Sequence, residues 1–375
     1  MRATRVGSEL MVRIGRRLVW EWSKLSLSWN DQVRTRWHDL TVTRRFVPVA
    51  GAQAGSQRVA IMVLYPADGV QPSHLRSLRH LIAMGYAPLV VSNLPLTEGG
   101  RASLLPLVWQ LAERRNFGFD IGGYRAAILW LGQRLAGLER LVLTNDSIWF
   151  PTGDRPDWLS VAARIDSSHA PSLIGAVPGI SDGRSRDGSF RPDQGAGDFH
   201  YCSFALSFGP AILRDADFLP FWRRLRLTDR KVEIVQRGEV ATSQWAIRRG
   251  HDHASTWDPG VLPQQLMALR DSQLRSLVSE LVIPEDAGLR AARDAFLADR
   301  AASSDAGAVL RLVLDVIART GAAYALPCWT MRAEGLGFIK KSPLRLDATG
   351  RAATLRALES EPELLAEAEK IRLRE

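Results

Sequence analysis

The chain has only two cysteines, Cys202 and Cys328, among 375 residues. Two thiols make neither a disulfide framework nor a cysteine-based zinc site, so the expected compartment is a reducing one. No run of roughly 20 apolar residues is present, which argues against a membrane-spanning helix. The first residues lack the apolar segment of roughly 7–15 residues that marks a secretory signal. These absences predict a cytoplasmic protein. Also missing are a Gly-x-Gly-x-x-Gly turn, a P-loop, a Ser/His/Asp arrangement and any internal repeat.

What is present fits a folded globular protein: 46% of residues are hydrophobic and 24% charged. The length suits one large α/β domain with an appendage. Net charge is +9, and residues 1–50 hold ten Lys and Arg against four Asp and Glu, a surplus of six. Trp20, Trp22, Trp29 and Trp37 are interleaved there. A basic, tryptophan-rich, partly amphipathic segment suits an anionic bilayer surface, or else packs on the domain. A basic patch also suits nucleic acid, but no nucleic-acid motif accompanies it.

From residue 57 the texture changes. Residues 58–65 read as a buried strand, 72–84 as a helix that Gly85 ends, and 87–92 as a second strand. Strand, helix, strand is a parallel βαβ unit, which binds ligands at the carboxyl ends of its strands. Helices are predicted over 100–114, 125–136, 157–166, 216–225 and 239–249. Strands are predicted over 140–144, 173–177, 200–208 and 252–257. Residues 179–198 read as a long polar loop of functional type, and 262–375 as a mainly α-helical region interrupted at 327–329 and 340–343. The expected organisation is a basic amphipathic extension over 1–56, an α/β domain over 57–261 and the helical region over 262–375.

Three clusters bear chemistry. In Asn116–Tyr124, the turn around Gly118 and Gly122 allows close backbone approach. Asp120 there accepts from a nucleoside or caps a helix. In the second, an apolar strand ends at Asn145-Asp146-Ser147. A carboxylate so placed holds Mg²⁺ or Mn²⁺ against a diphosphate, or makes an Asx turn. In the third, Glu239 opens a helix that Gly250 closes, as a general base or as a charge favouring the macrodipole. His200 contacts diphosphate or acceptor, or is structural. His251 and His253 share a metal only if both face one side of a strand.

In this order and spacing, Asn116-Phe117-Gly118-Phe119-Asp120-Ile121-Gly122, Leu143-Thr144-Asn145-Asp146-Ser147, His200-Tyr201-Cys202-Ser203-Phe204, Phe218 with Phe221-Trp222, and Glu239 with Gly250-His251 resemble the rhamnan synthesis protein F family. The resemblance covers roughly residues 57–260. It implies a GT-A-like fold with a mostly parallel sheet and an inverting glycosyltransferase of polysaccharide or lipopolysaccharide biosynthesis. The implied donor is a nucleotide-sugar such as dTDP-rhamnose, and the implied acceptor a glycan or lipid-linked glycan. It makes Asn116, Gly118, Asp120, Gly122, Asn145, Asp146 and His200 donor-binding residues, Asp146 the metal ligand and Glu239 the catalytic base. The basic, tryptophan-rich segment 1–50, with no spanning helix or signal, separately predicts a cytoplasmic protein held peripherally on the inner face of the plasma membrane. The alternatives are a noncatalytic partner in glycan assembly and a basic nucleic-acid-binding protein.

Overall fold

The computed structural model describes residues 29–41, 46–179, 197–283, 286–299 and 305–371. Most of the basic extension and nearly all of the polar loop, residues 180–196, lie outside the described residues.

An eight-stranded mixed sheet is the framework. Its strands are β1 (Val49–Ala50), β2 (Arg58–Leu64), β3 (Ala87–Ser92), β4 (Gln110–Glu113), β5 (Arg140–Asn145), β7 (Leu173–Gly175), β8 (Ala205–Phe208) and β9 (His253–Ser255), in the order β1-β4-β3-β2-β5-β8-β7-β9. Pairings β2–β3, β2–β5, β3–β4 and β7–β9 are parallel, whereas β8 runs antiparallel between β5 and β7. This is the expected α/β class with a mostly parallel sheet.

β2 is central, and its apolar run RVAIMVL is buried from Val59 onward, as a strand covered on both faces must be. Alternation divides its side chains. Val59, Ile61 and Val63 join Leu141, Leu143 and the helix α4 residues Ile121, Tyr124 and Ile128. Ala60, Met62 and Leu64 join Leu78 and Leu81 of helix α2 on the other face. Here α2 is Pro72–Ala83 and α4 is Phe119–Leu131; helix 29–41 is α1, Glu98–Leu104 is α3, and Trp158–His169 is α5.

The second face extends into the C-terminal region. Leu274, Val278, Val309, Val313 and Phe338 belong to the same apolar cluster as Met62 and Val142. Residues 262–371 are mainly helical. They also give strand β10 (Ile339–Lys340), which pairs antiparallel with β6 (Ile148–Trp149), just beyond β5.

Several local expectations need correction. Residues 100–114 are not one helix: α3 stops at Leu104, a 3₁₀ turn carries Pro106, and Gln110–Glu113 is a strand. Pro106 lacks the N–H a helix needs, and the vacant edge of β3 supplies a ladder instead. The helix expected over 125–136 starts earlier, at Phe119, so Asp120 lies within its first turn. In 200–208 only Ala205–Phe208 is strand. Glu239 does not open a helix. Helical backbone begins at Lys231, and Glu239 lies inside a π-helical stretch, Val235–Val240, that runs into Ala241–Arg248. Pro327 starts a helix, Pro327–Arg332, since the first helical turn needs no N–H from it.

Candidate functional site

The carboxyl ends of β2 and β5 meet at Asp146. Its N–H donates to Val63 O at 3.1 Å, and its Oδ2 accepts the Tyr65 N–H at 2.6 Å. Asp146 thereby ties the two strand ends together. Burial raises its pKa, opposed by Lys341. His74 Nε2 stands 3.8 Å from Oδ2. Burial, then Lys341, lowers His74 to about 3, so its ring is neutral, and its Nδ1 accepts the Gln71 N–H.

Asn145 turns inward. Its Nδ2 donates to Asp120 Oδ2 at 2.6 Å, and its Oδ1 accepts the Ser147 N–H at 3.0 Å and the Ser147 hydroxyl at 2.5 Å. Two donors on Oδ1 settle which way the amide faces. Asp120 Oδ1 accepts the Ile121 N–H, so the residue serves its helix and the Asn145 amide together. Burial, then the charge of Glu239, raises Asp120 to about 6.

Glu239 accepts the Ser203 N–H on Oε2 at 2.5 Å, and its Oε1 lies 3.7 Å from His200 Nε2. His200 Nδ1 is 2.8 Å from Asp198 O. A π-helical turn is a frequent device at functional sites because it re-aims one side chain out of the helical register. Here it presents Glu239 to the segment that precedes β8.

The predicted residues therefore divide. Asp120, Asn145, Asp146, Glu239 and His200 gather at one end of the sheet, where a buried Lys340 feels the charges of Glu239, Asp120 and Asp146. Gly118 and Gly122 serve the turn and its packing. Gly118 is left-handed, at φ 79°, and precedes α4. A Cβ on Gly122 would lie 2.1 Å from Phe117 O, so the close approach there is to the chain itself. Asn116 Oδ1 is buried with no hydrogen-bond partner. His251 and His253 do not face one another: His251 binds Asp215 at 2.9 Å and His253 binds the Tyr201 hydroxyl at 2.8 Å.

A cavity of about 1120 Å³ opens at Asp146 and runs between the α/β part and the C-terminal region. Tyr65, Asp68, Asp146, Ser147, Tyr324 and Lys341 are among its walls; Asp120 and Glu239 stand outside its lining. Lys340 and Lys341, which sequence reasoning took for a turn, are the functional candidates it missed. No local pattern marks them, because only the pairing of β10 with β6 brings them here.

Among the described residues no three His, Cys, Asp or Glu converge to hold a metal ion. A single cavity-lining carboxylate still fits Mg²⁺ or Mn²⁺ in phosphate sites, where one or two carboxylates suffice and phosphate oxygens and water complete the shell. Among the described residues no helix is long and apolar enough to cross a membrane.

Residues 89–269 match the rhamnan synthesis protein F family. The uncharacterized protein y4gN of Sinorhizobium fredii is 25% identical over 249 residues, covering 66% of this chain; the chain spans 60% of that relative's length. Among solved structures, core-mannan synthase A from Aspergillus fumigatus, in an Mn/GDP form, aligns with TM-score 0.29 and 9% identity over 50% of this chain and 68% of that one. The mannosyltransferase PcManGT from Pyrobaculum calidifontis, in complex with GDP-Man and Mn²⁺, aligns with TM-score 0.30 and 14% identity over 92% of this chain and 96% of that one. These scores describe loose likenesses, and what those proteins bind is theirs.

Proposed function

We propose, for a chain whose residues 89–269 match the rhamnan synthesis protein F family, that it is an inverting glycosyltransferase acting on a nucleotide-sugar. The donor is dTDP-rhamnose or a close analogue. The acceptor is a hydroxyl of a growing cell-surface glycan or a lipid-linked precursor. The observation that carries this reading is the gathering of Asp120, Asp146 and Glu239 at the carboxyl end of the sheet, beside the cavity that opens at Asp146.

The nucleoside lies toward Asp120 and the diphosphate toward Asp146. Glu239 takes the acceptor's proton as the acceptor oxygen bonds to the anomeric carbon. The bond from that carbon to the diphosphate breaks, and its electron pair leaves with the diphosphate. Mg²⁺ or Mn²⁺, held by Asp146 and phosphate oxygens, would supply positive charge to the departing diphosphate. His200, with Nε2 facing Glu239 Oε1, orients that carboxylate.

A panel of nucleoside diphosphates and their sugars, with and without Mn²⁺, tests the reading by thermal shift and calorimetry. Selective stabilisation is expected. Affinity falls from pH 7 to pH 5, because Asp120 takes up a proton around its raised pKa of about 6 and loses the charge that makes it a strong acceptor for the nucleoside. Asp120→Asn binds weakly and loses that pH dependence. Absence of any stabilisation by the panel sinks the reading. A second reading rests on Asn145, an amide beside the single acid Asp146: binding without transfer or hydrolysis would mark a noncatalytic partner in glycan assembly.

The membrane enters through α1. Trp29, Val33, Trp37 and Leu40 are 71%, 51%, 68% and 54% exposed and recur at helical spacing on one face. The other face is held down: Asp31 pairs with Arg230 and Arg237, Thr35 bonds Leu227, and Asp39 pairs with Arg125. An apolar, tryptophan-bearing stripe on a basic chain suits the headgroup region of an anionic bilayer. In vesicle co-sedimentation the protein is expected to bind phosphatidylglycerol-containing vesicles. The double variant Trp29→Ala/Trp37→Ala should bind at least about tenfold more weakly, each indole contributing apolar burial of about 1.5–3 kcal/mol when fully seated. Equal binding by the variant would remove α1 from that role.

A further inference from the structure

The chain's C-terminal region, outside the matched residues 89–269, contributes a side chain to the site. Lys340 sits in β10, opposite Ile148 of β6, and the Lys341 N–H donates to Ser147 O at 2.9 Å. This register places Lys340 under the turn that presents Asp146. The side chain is buried, 5% exposed, with Nζ 3.7 Å from the Phe204 ring centroid and 5.4 Å from that of Tyr324.

Burying an ammonium is costly unless its protons and its charge are answered. Lys340 Nζ donates to Ser147 Oγ at 2.9 Å. The Ser147 hydroxyl donates to Asn145 Oδ1, and the Asn145 amide donates to Asp120 Oδ2. The result is a directed relay from the C-terminal region to the carboxylate assigned to the nucleoside: Lys340, Ser147, Asn145, Asp120. The charged and titratable groups that act on Lys340 are Cys202, Glu239, Asp120 and Asp146. It is a cation common to Glu239, Asp120 and Asp146, and Lys341 acts on Asp146 as well.

Because the lysine supplies Ser147 with a donor, the serine hydroxyl is left to donate its own proton onward. Asn145 Oδ1 is then doubly held, and its NH₂ must face Asp120. We propose that Lys340 is a positioning residue of the donor site, acting through Ser147 and Asn145 to hold Asp120, so that the C-terminal region completes a site whose other parts lie within residues 116–239. The proposal rests on the nucleotide-sugar reading above.

Nucleoside diphosphate affinity by calorimetry, beside the melting temperature of the unliganded protein, tests it in the full chain. Lys340→Met is expected to bind about tenfold more weakly, the fold-change that an unmade buried polar contact of about 1.4 kcal/mol gives, while still melting cooperatively. Lys340→Arg, which keeps a charged donor, is expected to recover affinity to within about threefold of the parent. A purely structural lysine would show the opposite pattern, a lower melting temperature at unchanged affinity, and that result overturns the proposal. If Lys340→Met does not fold, Ser147→Ala carries the test, because it cuts the same relay and leaves the ammonium in place. A comparable loss of affinity supports the proposal and an unchanged one overturns it. A parent that binds no nucleoside diphosphate defeats the glycosyltransferase reading itself and the role of Lys340 with it. A parent that binds while both variants match it defeats only the role of Lys340.

Discussion

Asp146→Ala is expected to lower sugar transfer by roughly 10²–10³-fold, because the divalent cation that Asp146 would hold against the departing diphosphate loses its protein ligand and the developing negative charge loses its counter-charge. The diphosphate gains charge as the sugar leaves, and Asp146, at the ends of β5 and β2, is one of the acids that line the cavity. The fold should survive. Tyr65, whose N–H loses its acceptor, is half-exposed, so water replaces the carboxylate. Asp146→Asn separates charge from geometry, since the amide oxygen still accepts from Tyr65 while the negative charge is gone. Turnover is measured with a nucleotide-sugar panel, and melting temperature is followed alongside. Full activity in Asp146→Ala would take the diphosphate away from this residue. Full activity in Asp146→Asn alone would show that the Tyr65 hydrogen bond, and not the charge, is what the site uses.

Glu367→Ala is expected to destabilise the protein by about 3–5 kcal/mol, the range for removing one partner from a buried ion pair. Glu367 lies on the helix Pro362–Glu369 and is 5% exposed. Its carboxylate accepts the Ser73 N–H at 3.0 Å, the Ser73 hydroxyl at 2.8 Å, the Trp149 indole N–H at 2.9 Å and Lys341 Nζ at 3.0 Å. One side chain thus fastens the C-terminal helix to α2 and β6 and holds Lys341 at the cavity wall. The variant leaves the Trp149 indole N–H without its acceptor and Lys341 without its carboxylate partner, with only the Ser73 hydroxyl left to accept from Lys341 Nζ. Denaturant unfolding of parent and variant gives the difference, and a change under about 1 kcal/mol would show that water replaces the carboxylate without penalty.

The same group has a pH signature. Burial pushes the Glu367 pKa up, but Lys341 and the bonds from Trp149, Lys341 and Ser73 outweigh it and hold the value below the ordinary one. A depressed carboxylate stabilises the fold above its unfolded pKa, about 4.3 for glutamate, and loses that contribution as pH falls through the folded value. The stability gap between parent and Glu367→Ala should therefore be full at pH 7 and narrow below about pH 4.

Much of the candidate site was legible before the fold. Asp120, Asn145 and Asp146 stand out because short polar residues interrupt apolar strands and helices where βαβ units put ligands. The role of the glycines was less legible. Gly122 sits in a turn of ligand-binding appearance, and what it approaches is the Phe117 carbonyl. Glu239 was found for a reason the backbone does not share, since a π-helical stretch has no composition of its own and reads as an ordinary helix.

By itself the sequence determined the alternation and the helical periods, because a strand buried on both faces and a helix with one apolar stripe impose their patterns residue by residue. It also determined that Asp146 falls at the end of an apolar strand. Tertiary structure alone decided that Gln110–Glu113 becomes a strand, since the ladder it joins is provided by β3. It alone brought Lys340, Lys341 and Glu367 across the chain to Asp146. The physical reason is the same in both cases: a hydrogen bond or an ion pair between distant residues leaves no period in either segment, so nothing local announces the partner until the chain closes on it.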